Sequence, residues 1–103
     1  MHRFERWREI IQDASNVDAV VAAMRGYVDT VGPAVIGTLP AECQQALSRD
    51  DIQQAAVTLL QCELRFRGEP AIAELLHEIA QTFAVASTRV ARLTRGGRIA
   101  PGE

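Results

Sequence analysis

The chain has 103 residues, 48% of them hydrophobic but only 5% aromatic, which predicts one domain with a mainly aliphatic core. Its formal net charge is −2, so no global field draws it toward nucleic acid, and its longest apolar run is too short to span a bilayer. The charged N-terminal segment lacks the apolar stretch of a secretory signal, so we expect a cytoplasmic protein.

The two cysteines, Cys43 and Cys62, are too far apart in the chain for the CxxC spacing of zinc or redox sites. We expect both to be reduced thiols that pack in the core, as free cysteines commonly do. All eleven basic residues are arginine, which favours a bacterial source with a GC-rich genome because most arginine codons are GC-rich.

The apolar residues recur at helical spacing along almost the whole chain, and no segment shows the alternation typical of a strand. The first predicted helix covers about residues 3–14. Ser15 and Asn16 offer an N-cap for the second helix, about residues 17–31, and Gly32 followed by proline ends it.

Prolines and glycines interrupt residues 33–48, and this rules out one long helix there. We expect a turn of helix followed by a short helix, about residues 41–47. Ser48 and Asp51 have the spacing of a capping box in which Asp replaces Glu, so the next helix is predicted to begin near residue 49.

This helix is predicted to end at about Arg67, where Gly68 supplies a left-handed stop. Pro70 then opens the last helix, about residues 70–95, because a proline at the first helical position gives up no hydrogen bond. Two glycines are expected to end that helix, leaving residues 96–103 as a flexible tail.

Together these elements predict an all-α fold formed by a single domain over residues 1–103. The fold has four main helices and one short helix, joined by short connections. The last two main helices are expected to pack against each other as an antiparallel C-terminal hairpin.

A glutamate on one helix and a Glu-x-x-His motif on the next make half the ligand set of a bundle-type di-metal site. Here Glu63 precedes the hairpin turn, and Glu74 and His77 follow it. Helical angles place Glu63 in the apolar stripe of its helix but the other two on a solvent face. One chain is therefore not expected to bring Glu63 and His77 together, and missing ligands would come from a partner chain. We expect no metal or other cofactor.

An inward-pointing Glu63 needs a partner, because an isolated charge in an apolar site is strongly unfavourable. Arg67, one helical turn later, is the predicted partner in a buried ion pair, and Arg25 on the second helix is the alternative. A titrating Glu63 in a functional pocket remains the other possibility.

Two helix faces are candidates for contact with another subunit. The helix that begins near residue 49 has a second apolar row about 100° from its main stripe, so it is either covered on both sides or meets another subunit. The second helix has a row of small residues that would let another helix approach closely, although exposed alanines also suit a helix. The candidate interface residues are Val57, Leu60, Leu64, Ala19, Ala23 and Gly26. We expect a homodimer or a complex with another protein, and no membrane contact.

Arg89, Arg92 and Arg95 recur every third residue near the end of the last predicted helix. Cations stabilise a helix C-terminus, where the macrodipole is negative, and we favour this explanation. The alternative is contact with an anion or a nucleic acid, although no aromatic residue accompanies the arginines for base stacking.

The chain contains no nucleophile motif and no phosphate-binding glycine loop, so we do not expect an enzyme. The sequence favours a small helical module for protein–protein interaction or regulation that associates with itself. The alternatives are a nucleic-acid-associated protein that uses the arginine-rich last helix and a carboxylate or metal-binding bundle assembled between subunits.

Overall fold

The computed structural model describes the backbone of residues 3–99 and the side chains of residues 6–95. All regular secondary structure in this part of the chain is helical. This part of the chain forms six helices: α1 (Arg3–Asp13), α2 (Val17–Val31), α3 (Pro33–Ile36), α4 (Ala41–Leu47), α5 (Ile52–Arg65) and α6 (Pro70–Ile99). The all-α prediction is confirmed. The predicted turn of helix is α3, and the predicted short helix is α4.

The boundaries of α2 follow from side-chain and backbone chemistry at its two ends. The side-chain oxygen of Asn16 accepts a hydrogen bond from the amide of Ala19 at 2.8 Å, as an N-cap residue does. At the other end Gly32 has a φ of 92° and donates its amide to the carbonyl of Val28. A side chain at this φ would be strained, so glycine suits this position.

The predicted capping box before α5 is wrong. Asp51, not Ser48, is the N-cap, because its carboxylate accepts the amide of Gln54 at 3.1 Å. The Ser48 hydroxyl instead donates to the carbonyl of Gln45 at the end of α4. The Gln45 carbonyl accepts both the amide of Ser48, at 3.2 Å, and its hydroxyl, which keeps the serine side chain at the end of α4 and leaves the cap position to the aspartate.

The hairpin turn also differs from its prediction. Helix α5 ends at Arg65 rather than Arg67, and Gly32 is the only residue with positive φ in the part of the chain the structure describes, so Gly68 is not left-handed. The turn closes through a hydrogen bond from the Glu69 amide to the Phe66 carbonyl at 3.0 Å. This bond reverses the chain without a left-handed residue.

Helix α6 continues through both glycines to Ile99, so the predicted helix end and the start of a flexible tail at residue 96 are wrong. A glycine lowers helix stability by about 1 kcal/mol relative to alanine, but it keeps its amide hydrogen bond. At 1.5 Å per residue the helix is about 45 Å long, close to the longest dimension of the molecule, 50 Å. Residues 100–103 lie outside the described residues.

The core lies along one side of α6. Helices α5 and α6 form the predicted hairpin, α1 and α2 pack on α6, and α4 covers α5. The largest fully buried apolar side chains come from α1, α2, α5 and α6: Ile11, Met24, Leu59, Leu76, Ile79 and Phe83. Among residues 3–99 no helix is both long enough and apolar enough to cross a membrane.

Candidate functional site

The outer face of α5 carries apolar side chains that contact solvent. Val57 is 48% exposed and Leu64 is 64% exposed, whereas Leu60 is half-buried against the core. The opposite face of α5 is fully packed, with Ile52 and Leu59 buried. Helix α5 is therefore covered on one side only, and its second apolar row remains open in the single chain.

The same face carries no charge. Its polar positions are Gln53, Gln54 and Gln61, all exposed. Between the first residue of α5 and Leu64, Glu63 is the sole charged residue, and its side chain turns toward α6 rather than outward. A solvated helix face ordinarily carries charged residues, so this one is atypical.

The small-residue face of α2 is already occupied. Ala23 is buried, and a Cβ atom built on Gly26 would lie 3.0 Å from Cη2 of Trp7 on α1. The Trp7 ring also meets Tyr27 edge-on, with 6.1 Å between the ring centroids. Ala19 is half-buried in the same packing. The small residues predict that another helix packs closely on this face. That helix is α1 of the same chain, so the face is not free for a second subunit.

The structure brings Glu63 and His77 into direct contact, so the prediction that one chain keeps them apart is wrong. The Nδ1 atom of His77 contacts the Oε2 atom of Glu63 across the hairpin. The partner of Glu63 is thus His77, not Arg67. The Glu63 side chain is 24% exposed and that of His77 is 60% exposed.

Helical angles give the direction of a side chain from its helix axis but not its reach, and the angular prediction placed Glu63 too far inward. Glu63 lies at the edge of the buried stripe, and His77 at the edge of the solvent face. In an antiparallel hairpin these two edges border the same groove between the helices, so two long side chains can meet there. Glu74, one turn before His77, is exposed.

Two bidentate ion pairs hold the ends of α5. Arg25 of α2, the alternative partner for Glu63, instead binds Asp50, with Nη2 at 2.7 and 2.6 Å from the two carboxylate oxygens. Arg65 binds Glu42 of α4 at 2.8 and 2.7 Å. Hydrogen bonds from these guanidinium groups lower the pKa of both carboxyls. The pairs are exposed, so each contributes little stability.

Both cysteines are free and fully buried between α4 and α5. Burial raises the pKa of the Cys43 thiol to about 12 and also raises that of Cys62. A thiol with a raised pKa is a poor nucleophile and a poor metal ligand at neutral pH, because the thiolate is the reactive form. These two residues therefore act as packing groups.

Two arginines of α6, Arg89 and Arg92, line one cleft of about 320 Å³ together with Gln12, Val85 and Thr88. The guanidinium of Arg89 donates from Nε and Nη2 to the carbonyl of Ala14 at 3.1 and 2.8 Å. It thereby satisfies a carbonyl just past the end of α1 and fastens α1 to α6. Arg92 and Arg95 are exposed. The anion contact at Arg89, Arg92 and Arg95 stays a prediction.

Within the described side chains no group of three or more His, Cys, Asp or Glu residues is placed to hold a metal ion. A cleft of about 500 Å³ lies beside His77, lined also by Arg8, Glu74, Glu78 and Gln81. A single chain thus supplies the Glu63–His77 pair as two adjacent potential ligands and no complete site.

No protein-family model matches this chain, and no match was found among curated proteins or solved structures. The comparisons therefore assign neither a family nor a function. Any functional conclusion has to rest on the geometry of the chain itself.

Proposed function

We propose that this protein is a non-enzymatic helical interaction module that forms a homodimer through the outer face of α5. The observation that supports this proposal is the exposure of Val57 and Leu64 on a helix face without charge. Burying apolar surface contributes roughly 25 cal/mol per Å², so two such faces gain by covering each other. A neutral face also brings no like charges together when it meets its own copy.

The spacing of the apolar residues suits an antiparallel pair of α5 helices. If the two-fold axis passes near the midpoint of Leu60 and Gln61, Val57 of one copy lies beside Leu64 of the other, and the reverse contact follows by symmetry. Leu60 then lies near the axis in both copies. Val57 and Leu60 are three positions apart, and Leu60 and Leu64 are four apart, which is the spacing of a helix–helix seam.

The test is the mass of the protein in solution, measured by size-exclusion chromatography with light scattering over a range of concentrations. We expect the native chain to be a dimer and Val57→Glu or Leu64→Glu to be monomeric, because each places a charge in the contact. The matched control is Val35→Glu on α3, since Val35 is also 40% exposed. A native chain that stays monomeric at high concentration, or a control as disruptive as Leu64→Glu, would contradict the proposal.

A further inference from the structure

We propose that the cleft between α1 and α6 binds a small phosphate monoester. This cleft has a volume of about 320 Å³ and is lined by Gln12, Val85, Thr88, Arg89 and Arg92. Its volume is at the lower end of the range for small-molecule sites, which suits a small ligand. The five residues belong to α1 and α6, so the site does not depend on the proposed dimer contact through α5.

The first support is the arrangement of the α6 residues in this cleft. They are spaced i, i+3, i+4 and i+7, which places all four on one face of the helix: Val85, Thr88, Arg89 and Arg92. Gln12 of α1 lies across from this face. The cleft therefore presents two guanidinium groups, one hydroxyl and one side-chain amide to the same volume.

The second support is the way in which Arg89 is held. Its Nε and Nη2 atoms donate to the carbonyl of Ala14 at 3.1 and 2.8 Å. A guanidinium has five N–H donors, so three remain for a ligand after these two are used. Because the carbonyl already fixes this side chain, a bound anion does not bear the full entropic cost of ordering it. The contact with α1 thus leaves Arg89 able to bind a ligand.

The third support is the charge around the cleft. Between Glu78 and Glu103 the chain contains four arginines and no acidic residue. Arg89 and Arg92 supply two positive charges, and none of the described side chains that line the cleft is a carboxylate. The larger cleft beside His77 differs, because two glutamates line it. An anion is therefore favoured in the cleft between α1 and α6 and less favoured in the other.

The lining residues favour a phosphate monoester over a carboxylate. A phosphate monoester carries about −1.5 to −2 charges at pH 7 and so matches two guanidinium groups, whereas a carboxylate carries a single charge. Arginine also binds phosphate oxygens in a bidentate manner. The side-chain amide of Gln12 supplies a further N–H donor. Val85 is half-buried against the core and offers an apolar contact to the organic group of the ester.

The experiment is an NMR titration of the full chain with phenyl phosphate, followed through the backbone amides and the arginine Nε–H groups. The buffer contains no phosphate, and chloride keeps the ionic strength constant. We expect saturable shifts at Thr88, Arg89 and Arg92 and at the side-chain amide of Gln12. Phenyl phosphate should bind more tightly than inorganic phosphate, which lacks the apolar group, and more tightly than benzoate, which carries a single charge.

Two variants and two matched controls identify the site. Arg92→Gln removes one of the two charges and should weaken the binding of phenyl phosphate about tenfold or more. Its control, Arg95→Gln, makes the same charge change outside the cleft and should leave the Kd within about twofold, because solvent and salt screen a charge at that distance. Gln12→Glu places a carboxylate in the cleft and should abolish binding. Its control, Gln45→Glu, adds the same charge on α4 and should not.

All four substituted positions are exposed, so the variants are expected to fold, and their circular dichroism checks this. Equal weakening in Arg92→Gln and Arg95→Gln would overturn the site, since phenyl phosphate would then respond only to the general positive charge of α6. Binding that survives Gln12→Glu would reject the cleft, as would the absence of any saturable shift at millimolar phenyl phosphate.

The remaining arms test the class of ligand. Inorganic phosphate or benzoate binding as tightly as phenyl phosphate would overturn the choice of a monoester. A single-stranded DNA oligonucleotide is the last probe. If it shifts the same groups more strongly than phenyl phosphate and loses affinity as salt rises, the contact is with a nucleic acid and the monoester proposal is wrong.

Discussion

The small-residue face of α2 and the outer face of α5 were both candidates for contact with a second subunit, and the structure treats them in opposite ways. Trp7 of α1 covers Gly26 of α2, whereas Val57 and Leu64 of α5 have nothing over them in the single chain. An amphipathic pattern thus indicates that a helix face needs a neighbour. It does not indicate whether that neighbour comes from the same chain.

The largest effect is expected from changing the covered face. Gly26→Leu should lower the free energy of unfolding by about 2 kcal/mol, since added side-chain atoms overpack the contact with Trp7. The gain in helix propensity over glycine offsets part of this loss. The matched control is Ala22→Leu, because Ala22 is exposed on the same helix, and we expect it to change stability by less than about 0.5 kcal/mol. Urea unfolding measures both.

Equal stability of the two leucine variants would contradict the assignment of the α2 face to an internal contact. If Gly26→Leu were monomeric in solution but as stable as the native chain, the small-residue face of α2 would be an intermolecular contact. Both readouts are needed, because unfolding alone does not tell where the covering helix comes from.

The same distinction applies to two arginines of α6. Arg89→Gln should lower the free energy of unfolding by about 1 kcal/mol, because a hydrogen bond from a charged group to the Ala14 carbonyl is lost from a half-buried position. Arg92→Gln makes the same charge change at an exposed position and should alter stability by less than about 0.5 kcal/mol. Thermal or urea unfolding compares the pair, and equal effects would contradict a structural role for Arg89.

Local chemistry at element ends could be predicted from the sequence. Gly32 and Pro70 mark helix boundaries at positions the structure confirms, because a left-handed glycine and an N-terminal proline act through their own backbones. The prediction for Ser48 is wrong because its hydroxyl donates to the Gln45 carbonyl at the end of α4. The position of this carbonyl is known only once the end of α4 and the start of α5 are both placed.

Contacts across the hairpin were harder to predict than helix boundaries. A helical wheel gave the direction of Glu63 and of His77, but not the distance between the helices or the reach of two long side chains. Their contact depends on both. The cover that α1 gives to α2 likewise depends on how three helices meet, which no single helix encodes.

The smallest expected effect on stability comes from the two ion pairs at the ends of α5, whereas the middle of the helix carries the uncharged row of Val57, Leu60 and Leu64. Guanidinium hydrogen bonds lower the pKa of the Asp50 and Glu42 carboxyls from their ordinary values of 3.8 and 4.5. The stability they contribute is therefore present above those values and lost as pH falls through the lower pKa of the folded state. Asp50→Asn and Glu42→Gln should consequently lose less stability than the native chain between neutral and acid pH, as measured by urea unfolding at each pH.

The variants and the native chain should converge at low pH, because protonation removes in the native carboxyls the same charge that the substitutions remove. Parallel stability curves at all pH values would mean that the two exposed pairs contribute nothing measurable, as many surface pairs do. The mass of the protein in solution should respond differently from its stability. Because Val57, Leu60 and Leu64 carry no titrating group, Asp50→Asn and Glu42→Gln should leave the dimer mass at neutral pH unchanged. A shift of that mass in either variant would place the contact at the charged ends of α5 and not along its apolar row.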